Sequence, residues 1–109
     1  MAVDPSLTCS GWALLSIPKG EVLSVGKVKA APASFPMATR LERLHGSITK
    51  VISNLALGES DVLICEGPTT MKDPLNAIKV EQVRGLFESI GRSCGVAVPG
   101  RVNPRSVQY

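Results

Sequence analysis

The sequence holds little of what several classes of protein require. No apolar run comes near the roughly 18 residues that span a bilayer. The first residues, Met1-Ala2-Val3-Asp4-Pro5, lack the basic segment and apolar stretch of a secretory signal. Aromatic residues make up only 4% of the chain, and its single histidine, His45, lies in a segment with helical spacing. These absences predict a cytoplasmic protein without a membrane segment and without a catalytic histidine.

Cysteine is also scarce, and its pattern excludes two kinds of cross-link. Cys9, Cys65 and Cys94 are odd in number and lack the paired CxxC spacing of zinc sites. We therefore expect reduced thiols that pack as small apolar groups, as in a reducing compartment. An apolar content of 44% with a net charge of only +3 argues against a disordered chain.

The length and the placement of charge are informative. A chain of 109 residues predicts one domain over residues 1–109. Residues 1–83 carry eight basic and eight acidic side chains, whereas residues 84–109 carry four arginines against Glu88 alone. A basic flank suits a polyanion such as nucleic acid, because arginine offers paired donors to phosphate. A solvated, slightly positive surface is the simpler alternative.

The first half of the chain changes from strand-like to helical spacing. Residues 12–17 and 21–29 are apolar or alternating runs joined by a short loop with glycine, which predicts an antiparallel hairpin. Apolar residues then recur at steps of three and four from Met37 to Leu55, which predicts a helix. Its predicted N-cap is Ser34 and its predicted C′ residue is Gly58. Its polar positions, predicted to face away from the core, are Arg40, Arg43, Ser47, Lys50 and Asn54.

The second half predicts a parallel unit of strand, helix and strand. Residues 61–66 place four apolar residues between two acids, as in a buried strand. Asp73-Pro74 is typical of a helix start, and helical spacing continues to Gly91. Residues 96–98 then form a short apolar strand. The fold class is therefore α/β, with a mixed sheet built from the hairpin and a right-handed parallel unit over residues 61–98.

Two acids end predicted strands. Asp4 and Glu66 each follow a short apolar run and precede a turn with proline. If these strands are parallel neighbours, their axes lie about 4.8 Å apart, and the two carboxylates can share a hard divalent cation. Each acid taken alone also fits an ordinary solvated turn.

The motifs around these acids resemble one family. Residues 4–13 (Asp-Pro, a short turn, a hydroxyl residue and Gly-Trp-Ala) are similar to the opening of the RuvC Holliday-junction resolvases, in the RNase H-like superfamily. Residues 62–66 resemble the family's apolar strand that ends in its second acid. Residues 82–85 resemble part of the following helix, and residues 102–107 a later segment. Ser6 and Gly67 depart from the family pattern, and neither change removes a metal ligand.

The resemblance implies an incomplete RNase H-like fold and a metal-dependent endodeoxyribonuclease that resolves four-way DNA junctions in recombination and repair. Asp4 and Glu66 would be catalytic and would bind Mg²⁺ or Mn²⁺. Two further acids of the family site would lie on a C-terminal helix beyond Tyr109, so the domain would lack its last helices. Nucleic-acid contacts would come from Thr69, Lys72, Lys79 and Arg84. The family acts as a homodimer, and the apolar face of the second helix (Val83, Leu86, Phe87, Ile90) would serve both core and partner.

Two other functions are compatible with the sequence. The same fold without the remaining acids would be a non-catalytic nucleic-acid-binding or dimerisation module. One half of an actin-like or sugar-kinase-like ATPase shares the pattern of an acid, a turn and a hairpin. The ATPase hypothesis requires a second glycine-rich phosphate turn, which the sequence lacks, and a longer chain.

Overall fold

A mixed sheet with two helices forms the described part of the chain, which comprises residues 1–17, 19–68 and 73–102 of the computed structural model. The elements are β1 (Ala2–Asp4), β2 (Cys9–Leu15), β3 (Val22–Lys29), α1 (Met37–Asn54), β4 (Ile64–Glu66), α2 (Pro74–Ser93) and β5 (Arg101–Val102). The strand order is β3-β2-β1-β4-β5. β2 is antiparallel to β1 and β3, and β4 is parallel to β1 and β5. The predicted mixed sheet is confirmed.

The hairpin is displaced from its predicted position. β2 begins at Cys9 rather than Trp12 and ends at Leu15 rather than Ile17. Cys9 pairs with Lys29 at the far end of β3, so the small and polar residues before Trp12 belong to the ladder. Cys9, Ser10 and Gly11 are in a strand because they pair with residues 27–29 of β3. A search for apolar runs does not detect such pairing.

One face of the sheet packs against the helices. Val3 is buried between exposed neighbours in β1, and Cys65 is buried between half-buried neighbours in β4. These residues alternate as the pleat of a strand requires. The core that they join includes Val3, Val28, Leu44, Ile48, Ile52, Leu63, Cys65, Val83, Phe87, Ile90 and Val96. The alternate side chains of β1 and β4 therefore project from the opposite face.

The ends of α1 differ from the prediction. Pro36, not Ser34, is the N-cap residue, and no side chain caps the helix. The residue before a proline is disfavoured in the helical conformation, which keeps Phe35 out of the helix. Pro36 itself is extended, with ψ of 147°, so the helix begins at Met37. At the other end Leu55 is the C-cap residue, and Ala56 rather than Gly58 adopts the left-handed conformation, with φ of 53°.

The start of α2 is as predicted, and its end is not. Asp73 caps the helix, with its carboxylate accepting from the Leu75 and Asn76 amides at 3.0 and 3.4 Å. Gly91 lies inside the helix, where a Cβ would come within 3.2 Å of Leu63 Cδ1, so this glycine permits close packing. Gly95, with φ of 82°, follows the true end. The predicted strand 96–98 is reduced to one bridge between Ala97 and Val62, and the pairing resumes at β5.

We expect Gly26→Ala to destabilise the fold by about 1–3 kcal/mol, because overpacking forces neighbouring side chains to shift. Gly26 pairs with Trp12, and an added Cβ would lie 2.6 Å from Cε2 of the indole ring. Urea denaturation would measure the loss. Gly11→Ala is the matched control, because nothing lies within 4 Å of a Cβ at that position. Equal stability of both variants would contradict this account of the Trp12 packing.

Candidate functional site

The two acids predicted from the sequence lie side by side. β1 and β4 are parallel, with Ala2 opposite Ile64 and Val3 opposite Cys65, and the next residue of each strand is Asp4 or Glu66. The pleat directs both carboxylates away from the helix-covered face. Two acids from distant parts of the sequence therefore meet at the carboxyl ends of adjacent parallel strands, where ligand sites of open α/β sheets form.

The electrostatics of Glu66 reflect this proximity. Partial burial raises the pKa of Glu66 above its ordinary value, and a hydrogen bond with Asp4 and the charge of Asp4 raise it further. The charge of Arg84 acts in the opposite direction. Two like charges at short distance cannot both ionise easily without a nearby cation.

Two concave regions share the acid pair. One, of about 340 Å³, lies between the acids and the first turns of α2 and includes Ser6, Ala77 and Arg84. The other, of about 470 Å³, lies on the open face of the sheet and includes Gly11, Ile64 and Val102 in its lining. The acid pair is thus accessible both from the α2 side and from the open face.

The turn after Asp4 is held by hydroxyl groups. Ser10, which is fully buried, accepts from the Ser6 amide at 3.0 Å and donates to the Ser6 carbonyl at 3.3 Å. The Ser6 hydroxyl in turn accepts from the Thr8 amide at 3.3 Å. Ser6, a departure from the family pattern, thus takes part in the turn's own hydrogen bonding.

A buried arginine of α1 also holds this turn. Arg40 was predicted to face away from the core, and this is wrong: it is 9% exposed. Its Nη2 donates to the Leu7 carbonyl at 2.8 Å and its Nε to the Ala31 carbonyl at 3.1 Å. Helical spacing placed Arg40 on the polar side, but carbonyls from two loops close over it.

A second buried arginine holds the strand end at Glu66. Arg84 is 4% exposed, and its Nε donates to the Glu66 backbone carbonyl at 2.7 Å. Its Nη1 pairs with Glu81, which also pairs with Arg101. Arg101 binds both carboxylate oxygens of Glu88, at 3.0 and 2.8 Å. The i,i+3 spacing of Glu81 and Arg84 was a sequence signal for part of this network.

Of the four residues predicted to contact nucleic acid, one is buried, one is exposed and two lie outside the described residues. Arg84 does not project from α2 as expected, because its guanidinium is used inside the protein. Lys79 is exposed on α2, so a phosphate contact there stays a prediction. Thr69 and Lys72 lie outside the described residues.

The apolar face of α2 is mainly core. Val83, Phe87 and Ile90 are buried in it, which leaves Leu86 at its margin. The exposed apolar side chains of this helix are instead Leu75 and Ile78, at 69% and 59% exposure.

Among residues 1–17, 19–68 and 73–102, no group of three or more His, Cys, Asp and Glu side chains is arranged to hold a metal. Neither helix of this part is long and apolar enough to cross a membrane.

The burial that raises the pKa of the Cys65 thiol to about 12 keeps that residue un-ionised in the core.

In the absence of divalent cations, we expect wild-type protein to lose stability, relative to Glu66→Gln, as pH rises above about 4.5. Below this value the side chain is protonated in both states. Above it the unfolded chain releases the proton more readily than the folded chain, whose raised pKa penalises the ionised form. Urea unfolding in chelator from about pH 4 to about pH 8 would measure the difference. Parallel curves for the two proteins would contradict the raised pKa of Glu66.

Comparison with known proteins gives a consistent family. No family model matches the chain. It is 33% identical over 100 residues to crossover junction endodeoxyribonuclease RuvC of Erythrobacter litoralis, covering 90% of this chain and 59% of the relative. It is 27% identical over 108 residues to the RuvC of Cereibacter sphaeroides, covering 99% and 62%. The chain thus spans about three fifths of the length of these relatives.

Solved structures show the same fold. Thermus thermophilus RuvC in complex with a Holliday junction substrate matches with a TM-score of 0.79 and 22% identity, over 96% of this chain and 64% of that one. Another structure of T. thermophilus RuvC matches with a TM-score of 0.72 and 21% identity, over 94% and 61%. In sequence and in fold, this chain is therefore similar to the RuvC crossover junction endodeoxyribonucleases.

Proposed function

We propose that this chain provides the two-acid part of a metal-dependent endodeoxyribonuclease that acts on four-way DNA junctions. The observation that carries the proposal is the meeting of Asp4 and Glu66 at the ends of β1 and β4 in a RuvC-like sheet. The relatives' names supply the reaction class, and the matched T. thermophilus complex supplies the substrate class.

The acid pair fits a hard divalent cation. Mg²⁺ and Mn²⁺ prefer carboxylate oxygens, and proteins commonly supply only a few of these beside substrate phosphates. The raised pKa of Glu66, caused by burial and by Asp4, marks a pair whose charges a cation would neutralise. Asp4 and Glu66 would hold the ion, which when bound supplies charge neutralisation at the phosphate and activation of water.

The surrounding residues would orient the DNA strand. The cleft between the acids and α2 is open to a phosphodiester, and Lys79 is exposed on the same helix. A lysine at that position would bind a phosphate as a point charge and make binding salt-dependent. We extend the same role to Thr69 and Lys72 on the strength of the family resemblance alone.

A second copy of the chain would place one site at each of two strands of a junction. Exposed Leu75 and Ile78 provide apolar surface on α2 near the cleft, and we propose that they lie in the homodimer interface. Analytical ultracentrifugation of wild-type protein and a Leu75→Gln/Ile78→Gln variant would test this, since a monomeric wild type excludes it.

A non-catalytic junction-binding module is the second candidate. It is favoured by the absence of a third potential metal ligand beside Asp4 and Glu66 in the part of the chain that the structure describes. Two carboxylates are fewer than a nuclease centre of this kind uses according to the family resemblance.

The two candidates give different results with a labelled four-way junction. The nuclease nicks it when Mg²⁺ or Mn²⁺ is added and does not when the metal is chelated. The module binds it with steep salt dependence and never cuts it. A linear duplex of the same sequence is the control for structure selectivity. Cutting that ignores chelation would exclude both proposals.

A further inference from the structure

We propose that Glu81, Arg84 and Arg101 are positioning residues that hold the backbone of Glu66 at the acid pair. We call these three side chains the α2 clamp. The inference rests on the proposed function, because it concerns the direction in which Glu66 presents its carboxylate.

The clamp acts on the peptide group that joins Glu66 to the next residue. Arg84 Nε donates to the Glu66 carbonyl at 2.7 Å, and the Gly67 amide donates to the Val102 carbonyl at 2.7 Å. Both polar atoms of this peptide group are therefore bonded, one to α2 and the other to β5. With both ends bonded, the peptide plane cannot rotate without breaking a hydrogen bond.

β5 needs the clamp to stay in place. It has only two residues and pairs with β4 alone among the described strands. Arg101 fixes it to α2 by bonds to both oxygens of Glu88 and by an ion pair with Glu81. The hydrogen bonds that Arg101 donates to Glu88 and Glu81 raise the pKa of its guanidinium.

Glu81 is the hub of the clamp. One of its carboxylate oxygens pairs with Arg84 and the other with Arg101. Although burial alone would raise the pKa of Glu81, hydrogen bonds from Arg101 and Arg84 lower it. The carboxylate is thus ionised and joins the arginine that holds the Glu66 carbonyl to the arginine that holds β5.

The position of the clamp favours a role at the site over a general role in stability. Ion pairs that are partly exposed to solvent, as those of Glu81 are, contribute little net stability. The Nε of Arg84 donates to the backbone carbonyl of Glu66, one acid of the pair, and Arg84 also lines the cleft beside Asp4. Groups one step away from metal ligands commonly tune affinity by roughly 10–100-fold when they are changed.

Glu81→Gln tests the inference, with Glu42→Gln, an exposed glutamate of α1, as the matched control. Mn²⁺ alone is the probe, titrated by calorimetry, and amide exchange of Gly67 is followed by NMR. We expect Mn²⁺ affinity to fall by roughly tenfold or more. We also expect Gly67 exchange to rise by about tenfold while amides inside α1 are unchanged. Arg84→Lys, which keeps the charge but loses the fork, should give the same result if Glu81→Gln does not fold.

The outcomes separate this inference from the proposed function. Unchanged Gly67 exchange in a folded Glu81→Gln or Arg84→Lys variant overturns the clamp. Faster exchange with wild-type Mn²⁺ affinity overturns its positioning role. A wild-type protein that binds no Mn²⁺ refutes the metal site itself, and Gly67 exchange still decides whether the clamp exists.

Discussion

A four-way DNA junction is expected to remain essentially uncut by the Asp4→Asn and Glu66→Gln variants. Each substitution is made in the natural protein that contains this sequence, at its full length. Both substitutions keep the shape of the side chain and remove its charge, at adjacent strand ends where a cation would bind. Loss of a metal ligand removes several kcal/mol of transition-state stabilisation, which corresponds to about 10³-fold in rate. Single-turnover cleavage in Mg²⁺ would measure this.

Junction affinity separates a lost reaction from a lost fold. We expect both variants to bind the junction about as tightly as wild type, because removing negative charge does not weaken phosphate contacts. Glu59→Gln is the matched control, since this exposed glutamate precedes β4 at the opposite end of the strand from Glu66. Cleavage that survives in both Asp4→Asn and Glu66→Gln would refute the nuclease proposal.

Each acid of the pair could be identified from the sequence because the signal of a strand end is local. Asp4 and Glu66 each end a short apolar strand, and the sequence alone leaves open whether the two strands are parallel neighbours. In the structure they are, because β4 lies beside β1. The same reasoning located the Asp73 cap, since a capping carboxylate bonds to amides only two and three residues away.

The residues that hold the acids in place could not be predicted in the same way. Arg40 and Arg84 bond to carbonyls 33 and 18 residues distant in sequence, and helical spacing cannot reveal such partners. An arginine is ordinarily assigned to solvent, and it is buried only where loop or strand-end carbonyls meet it. The predicted C′ residue of α1 was also wrong, since Ala56 and not Gly58 takes the left-handed conformation.

Arg40→Met is expected to lower the free energy of unfolding by roughly 2–4 kcal/mol, since hydrogen bonds from charged groups contribute more than neutral ones. The substitution keeps most of the apolar stem and removes the donors to Leu7 and Ala31. Both carbonyls then lose a charged donor in a partly buried setting, which adds a desolvation cost. Urea denaturation near neutral pH would measure the change.

Arg43→Met, one turn further along α1, distinguishes this effect from a general effect of charge. Arg43 is exposed, and its guanidinium lies 4.7 Å from the centre of the Phe35 ring. Such a contact is worth about 0.5–1 kcal/mol at the surface, so this variant should lose far less stability. If Arg40→Met and Arg43→Met were equally stable, the turn after Asp4 would not depend on α1. Ser6 and Ser10 would then have to hold it alone.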